Sequence, residues 1–551
     1  MPIEHVVVLC LENRSFDHML GFLDHGNADY DGLRRGGPFD NKGFDGGPRV
    51  PATPGAKKVV PFGPDHSHNA VMQQLAMTGL GRRRRPTNDG FVISYERKAR
   101  GLDPPRFGGL LGPLLEKMTA SRQRGAVTAP GWGSLAMQCQ APARVPVLST
   151  LALEFAVCDG WFCSVPGETW PNRNYLHAAT SDGETDIEIR QYTNRTIFQL
   201  LEDNGADWRI YFDDTPQVWA FPALWDTPER HAKWFPITRF AAHAAAGDLP
   251  AYSFIEPNHR PPLHTLDHDT LLGGAPDVSD SQHPENNLVS LAAYEEFDED
   301  ADTDFSRGEG LIASVYEALR ANPALFASTM LVITYDEHGG LYDHRPPPTG
   351  VPAPGHGRGP VARLLHAIWH RQVQAFDFTM LGARVPAVLV SPLIEPGTVL
   401  HEEIDHASVP STLRHLFAPN AKPLTRRDAW AQPFAHVASR AEPRTGLVDL
   451  SRYVRPAVRV AAELGPDTVP AAGTVRDTGT MPDTGTVPGY YRDFIAQADL
   501  VRDHLTTVGE PEVAGPADPS ALRRAVQTSR DFSAAAERHR RELAGRGQGG
   551  G

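Results

Sequence analysis

Only four cysteines occur in a chain of 551 residues, too few for a disulfide scaffold. Cys158 and Cys163 lie close together, but their spacing fits neither a zinc knuckle nor a redox motif, so they read as buried thiols. No apolar run approaches the ~20 residues that a transmembrane segment needs. Positive charge is also short: 53 Lys and Arg face 67 Asp and Glu, a formal net charge of -14. Nothing global therefore favours nucleic acid or an anionic membrane as a partner. A signal peptide is missing too, since Met1-Pro2-Ile3 runs straight into EHVVVLCL (Glu4 to Leu11), which reads as a first strand. That start predicts a cytoplasmic protein, or a secreted one whose export sequence has been trimmed.

What is present is a soluble globular composition, 40% hydrophobic and 22% charged, with enough proline (49 residues) to predict many loops. Apolar strand-like runs fall at 5–11, 154–158, 208–212, 251–255, 329–335 and 385–391. Helix-like stretches fall at 68–78, 146–153, 172–180, 196–204, 309–321 and 407–417. The alternation predicts an α/β fold with a mainly parallel sheet covered by helices. Segments 30–66, 80–145 and 257–305 read as long loop-rich insertions. The first unit is expected to span 1–440. A linker with a low-complexity near-repeat follows at 441–488, then a charged helical extension at 489–551. The extension carries no catalytic constellation, although its helices suit a partner or a second chain; nothing in the sequence sets the oligomeric state. The acidic piece from Glu295 to Asp304 reads as a solvated loop without the spacing of a calcium hand. Arg82 to Arg85 reads as an exposed loop, with an anion or lipid headgroup as its functional alternative.

Chemistry concentrates where two strands end. TMLVITY, from Thr329 to Tyr335, has the β-branched content of a strand covered on both faces. It runs into Asp336-Glu337, then His338, Gly339-Gly340 and Asp343-His344. Two adjacent acids at a strand's C-terminal end repel unless a cation or a proton lies between them. The first strand ends similarly, in Glu12-Asn13, a carboxylate beside an amide oxygen, both hard donors for a divalent ion. The two ends together suggest an oxygen cage.

A hydroxyl completes the set. The strand at 154–159 leads into SVPGETWPNR, Ser164 to Arg173, and a helix. Thr169 occupies an expected N-cap position two residues ahead of Pro171, where a hydroxyl meets the positive end of the helix and a phosphate can dock. Contact with a metal ion would bring its ionisation towards neutral pH. The alternative is that Thr169 is only a cap.

ENRSFDHMLGFL, SVPGETWPNR, SFIEPN, SQHPENN and ITYDEHGGLYDHRPPP, in that order, resemble the bacterial phosphoesterase family, which holds phosphatidylcholine-type phospholipases C and related acid phosphatases. The resemblance spans residues 3 to 418. It implies a doubly wound, alkaline-phosphatase-like sandwich, with Glu12, Asn13, Thr169, Asp336 and Glu337 around a divalent metal. Oxygen donors favour calcium, magnesium or manganese, with iron and zinc as alternatives. Thr169 matches the family's nucleophile. The resemblance also implies histidines around the transferred phosphoryl group, for which His66, His68 and His283 are candidates. Asn172 and Arg173 are candidates for holding a phosphate oxygen. His338, Asp343 and His344 would shape the loop around the metal, and Asp405-His406 matches a late metal-site or supporting histidine. The expected activity is cleavage of a phosphodiester, such as a phospholipid, through a phospho-threonine. A broad phosphomonoesterase and a non-catalytic binding protein are the alternatives. A rim built from Trp132, Trp170, Trp219 or Trp225 would suit a headgroup, although such aromatics also suit a core. The chain departs from the family's exported members in lacking a twin-arginine signal, and from its phospholipases in a helical rather than β-rich C-terminus.

Overall fold

The computed structural model describes residues 2–78, 85–104, 131–259, 279–355, 376–454, 489–511 and 521–548. Arg82 to Arg84 and the near-repeat of 465–488 lie outside the described residues.

Eight strands form the central sheet: β1 (His5–Leu11), β2 (Ala156–Cys158), β3 (Trp208–Phe212), β4 (Trp234–Pro236), β5 (Tyr252–Ile255), β6 (Thr329–Tyr335), β7 (Ala387–Val390) and β8 (Thr398–Leu400). Their order is β8-β2-β7-β6-β1-β5-β3-β4. Every strand pair is parallel except those made by β7, which runs against β6 and β2. Chain order reverses around β1, the first strand, which lies between β5 and β6. Open α/β sheets place their ligand crevice at such a reversal, outside the carboxyl ends of the strands.

Both neighbours of β1 are fixed in register. Val6 to Leu9 pair with Tyr252 to Ile255, and His5 to Leu11 pair with Thr329 to Tyr335. The expectation for 329–335 is borne out, since all seven residues of β6 are buried. A strand covered on both faces gains nothing from polar alternation, which explains the unbroken apolar run.

The helices that matter below are α1 (Phe16–Leu20), α2 (His68–Gln74), α3 (Pro146–Glu154), α4 (Thr169–Ala178), α5 (Ile197–Asp203), α6 (Pro228–His231), α7 (Asp304–Arg320), α8 (Ser408–Phe417), α9 (Gly489–Thr507) and α10 (Ala521–Gln548). α3 packs with α7, while α4 and α5 pack with α8, giving the two layers that sandwich the sheet. α7 begins five residues before the sequence pattern suggests, because the Thr303 hydroxyl caps it by accepting from Ser306 N. Among the described residues, no helix is long and apolar enough to cross a membrane. All four cysteines are free and buried, as expected for Cys158 and Cys163.

The C-terminal part differs from a loose tail. Leu450 N donates to Glu317 of α7 and Tyr316 donates to Val448 O, so the body runs past the boundary expected at 440. α9 and α10 lie against the sheet's β3–β4 edge, where Phe532 packs among Trp219, Trp225 and Trp234. Trp170, Trp219 and Trp225 are accordingly core residues rather than a headgroup rim. Trp132 is half-buried against Phe62 and Tyr294.

Candidate active site

The parallel register sets the site. Leu11 is opposite Tyr335, so Glu12-Asn13 and Asp336-Glu337 leave the sheet side by side, tied by Asp336 N donating to Leu11 O at 3.1 Å. β5 ends alongside in Glu256. All of these residues are buried.

Asn13 holds a left-handed backbone, φ +58°, sparsely populated for a residue with a side chain. The turn aims its N–H at Asp336 Oδ1 (3.0 Å), which also accepts from Glu337 N at 2.7 Å. Gly339 explains part of the double glycine: its φ is +63°, and a Cβ there would lie 2.0 Å from Asn13 O. Its N–H donates to Glu337 Oε2 at 2.7 Å and fixes that carboxylate.

Thr169 is the first residue of α4, one position later than expected, with Glu168 as the cap residue. The cap makes no side-chain hydrogen bond, so the Thr169 hydroxyl is not spent on capping. It donates instead to Asn13 Oδ1 at 3.3 Å. Around the same amide stand two imidazoles, His66 Nδ1 at 3.0 Å and His283 Nε2 at 2.8 Å from Asn13 Nδ2. His283 Nδ1 accepts from Glu285 N, which places the proton of the neutral ring on Nε2. Two donors then meet across 2.8 Å, a contact that eases once an acceptor such as a phosphoryl oxygen enters.

Three other expected residues lie behind this cluster. Arg173 is fully buried: Nε donates to Asp336 Oδ2 (3.0 Å), Nη1 to Glu256, and Nη2 to Cys10 O (3.2 Å), with Glu12 3.8 Å away. It is a brace among three carboxylates rather than a phosphate ligand. Asn172 ties the loop before Thr169, accepting from Val165 N and donating to the carbonyls of Val165, Gly167 and Glu168. His68 sits under that loop with Nδ1 2.6 Å from Pro166 O, away from Asn13. Small buried polar side chains next to a site satisfy backbone as readily as ligand, and sequence does not separate the two uses.

Support extends outward. His406 accepts from Trp161 Nε1 and donates Nε2–H to Asp336 O at 2.6 Å, so it steadies the Asp336 turn as a supporting residue. Asp405 pairs with Arg427 and accepts from Ser164. His338 lies between Glu337 Oε2 (3.3 Å) and Gln74 Oε1 (2.8 Å).

Asp343 and His344 go elsewhere. They join Asp17, Asp31 and Arg384 in a second buried ionic cluster, in which His344 contacts Asp17 Oδ2 (2.7 Å) and Asp31 Oδ1 (3.0 Å). Burial works against a charged imidazole there, yet Asp17 and Asp31 outweigh it and raise the pKa to about 9. An unfolded His titrates near ~6.5, so this pairing stabilises fully below that pH and is lost as pH rises through about 9. The expected loss is on the order of 3 kcal/mol. Urea unfolding across this range should show the decline in the parent and a flatter profile in His344→Gln; equal slopes would refute the assignment.

Sequence reading missed several residues. His259 lies between Glu12 Oε1 (2.9 Å) and Glu256 Oε2 (3.4 Å), and Phe494 of α9 stacks on it at 4.5 Å. Burial opposes its charge, but Glu12 and Glu256 raise it to about 10. Glu256 had a usable signal, being a third acid at a strand end. Phe494 had none. Arg14 Nε donates to Gln282 O at 2.8 Å and thereby holds the turn that carries His283.

The electrostatics test whether a cation fits. Burial would raise the Glu12 carboxyl, but His259 and Arg173 bring it down to about 2. Asp336 is raised to about 7 by burial, only partly offset by Arg173, with Glu12 and Glu337 adding repulsion. Burial also raises Glu337 to about 7 against the pull of His66. Glu12 Oε2 has no hydrogen-bond donor, while Glu12 Oε1 meets His259 and Glu337 Oε1 meets His66 at 3.2 Å. Buried acids whose proton affinity is raised by burial, beside a carboxylate oxygen without a donor, are what a divalent ion would relieve, and the all-oxygen donor set fits one. Glu12, Asn13, Thr169, Asp336 and Glu337 could hold it.

Comparison with known proteins gives the chain's family. The Phosphoesterase family profile matches residues 3–418. Non-specific phospholipase C3 of Arabidopsis thaliana is 34% identical over 468 residues, covering 81% of this chain and 75% of that protein. Non-specific phospholipase C6 of the same plant is 35% identical, covering 81% and 74%. Phospholipase C A of Mycobacterium tuberculosis is 27% identical, covering 78% and 75%. Identity at this level over most of both chains leaves one conclusion: the chain belongs to the phosphoesterase family and is a phosphoric ester hydrolase.

Proposed function

We propose that the chain is a metal-dependent phosphodiesterase of phospholipase C type, acting on a phosphatidylcholine-like ester through Thr169. The observation that carries the reading is the Thr169 hydroxyl on Asn13, at the joint end of β1 and β6, with His66 and His283 on the same amide. The names of the relatives support the diester class.

Glu12, Asn13, Thr169, Asp336 and Glu337 would hold a divalent ion, which would lower the cost of ionising the Thr169 hydroxyl. With its proton lost to solvent, Thr169 Oγ1 attacks phosphorus in line with the departing glycerol oxygen. His283 Nε2–H hydrogen-bonds the leaving oxygen, which takes its proton from solvent, and His66 faces a non-bridging oxygen. The headgroup phosphate stays on Thr169 until water, losing its proton to solvent, attacks phosphorus and displaces the Thr169 oxygen, which regains a proton. Fixed donors aimed at developing charge supply the largest share of such a rate.

The test compares hydrolysis of phosphatidylcholine, p-nitrophenyl phosphorylcholine and p-nitrophenyl phosphate, before and after chelation and metal add-back. The proposal expects diester hydrolysis that chelator abolishes and a divalent ion restores. Preference for the monoester would make the protein a phosphatase at the same site, and chelator-resistant turnover would remove the metal from the account.

A further inference from the structure

Away from the site, three ligand-type side chains converge where the C-terminal helices meet the sheet edge: His231 at the end of α6, Glu510 just after α9, and His539 within α10. One ligand atom of each lies within 4.8 Å of the other two. Both histidines are buried and Glu510 is nearly so. We propose that these residues form a zinc site that clamps the C-terminal helix pair onto the phosphoesterase body.

The partners of His231 and Glu510 orient them for this use, while the Arg538 guanidinium lies 3.5 Å from both ring nitrogens of His539. His231 Nε2 donates to Phe532 O at 3.0 Å, which leaves Nδ1 as the lone-pair nitrogen. Arg538 holds Glu510 Oε2, so Oε1 is the oxygen facing His539 Nε2, 3.2 Å away. Ligating histidines and carboxylates in metal sites have their second polar atom held in this manner. The Arg538 charge, which opposes a dication, is shared with Glu542 at 3.2 Å. The ring centroids of His231 and His539 are 5.3 Å apart, so small rotations bring both nitrogens onto one ion. Two imidazoles and one carboxylate, with water in the fourth position, form a zinc-type donor set. It contrasts with the all-oxygen set of Glu12, Asn13, Asp336 and Glu337, and that contrast makes the two sites separable.

The clamp would do work that packing does not. His231 follows β3, while Glu510 and His539 lie far later in the chain, so one ion ties three distant segments. An ion that binds only the folded form stabilises it by mass action. α9 also carries Phe494, the ring stacked on His259 beside Glu12, so the clamp holds the helix that backs the catalytic cluster.

The experiment uses the full chain, stripped of metal and then kept in excess calcium to occupy oxygen sites. Zinc titration by calorimetry and by thermal unfolding is compared in the parent, Asp336→Asn, His539→Ala and Glu510→Gln. The expected result is one zinc per chain and a Tm raised by several degrees in the parent and in Asp336→Asn. At least tenfold weaker zinc binding and no Tm response are expected in His539→Ala and Glu510→Gln. Equal zinc stoichiometry and Tm response in all four proteins would overturn the proposal. Cobalt(II) added to the unaltered parent gives a readout independent of any variant's folding. A nitrogen-containing tetrahedral site produces a visible band that zinc abolishes, and absence of that band would equally overturn it.

Discussion

Thr169→Ala should lower kcat on p-nitrophenyl phosphorylcholine by about 10⁴-fold or more, about 5.5 kcal/mol of transition-state stabilisation. The fold should survive, because the Thr169 hydroxyl contributes one 3.3 Å hydrogen bond to Asn13 and does not cap its helix. Tm within a few degrees of the parent would verify that. Thr169→Ser keeps an oxygen in place and should retain most of the activity. Acid quench of the parent during turnover should trap the headgroup phosphate on the peptide containing Thr169, and Thr169→Ala should trap none. A hundredth or more of parental kcat in Thr169→Ala would show that another group, or water, attacks phosphorus.

The second large effect concerns stability. Arg173→Met removes the one guanidinium shared by Glu256, Asp336 and Glu12, all buried. Breaking a buried ion pair from one side leaves uncompensated charge and costs about 3–5 kcal/mol. The expectation for Arg173→Met is a loss of that order in urea unfolding. Arg173→Lys should recover only part of it, since an ammonium cannot reproduce a fork whose Nε and two Nη atoms reach different partners. A change below about 1 kcal/mol in Arg173→Met would mean that protonation of Asp336, already raised to about 7, absorbs the loss.

Much of this site is legible in the sequence because strand ends announce themselves. Glu12-Asn13 and Asp336-Glu337 each close an apolar run, and parallel register forces such ends together. Thr169 stands out beside Pro171 at a helix start, although the structure moves it one residue past the cap. Arg173, Asn172 and His68 fooled the reading for a shared reason. Their types suit phosphate binding, but each is consumed by buried carboxylates or backbone, and only three-dimensional packing reveals who claims a polar group. Asp343-His344 shows the same limit, because nearness in sequence to Asp336 does not determine which cluster a side chain joins. Phe494 was invisible for a different reason. One aromatic of three in a charged amphipathic helix says that the helix packs, but not that it packs on His259.

The position of β1 has a consequence for how the protein is made. The sheet's first strand in chain order is paired on both sides by strands that emerge much later, at 252–255 and 329–335. Until residue 335 has left the ribosome, HVVVLCL has an unmatched edge, and Glu12 lacks the neighbours that hold it. Pairing at such sequence separation is slow, and exposed apolar edges recruit other chains in the meantime. A chain broken off before residue 335 should therefore be a sticky fragment rather than a small enzyme. Among the described strands of the sheet, the nascent one leading to Glu12 and Asn13 waits longest for its partners and so has the longest need of a chaperone.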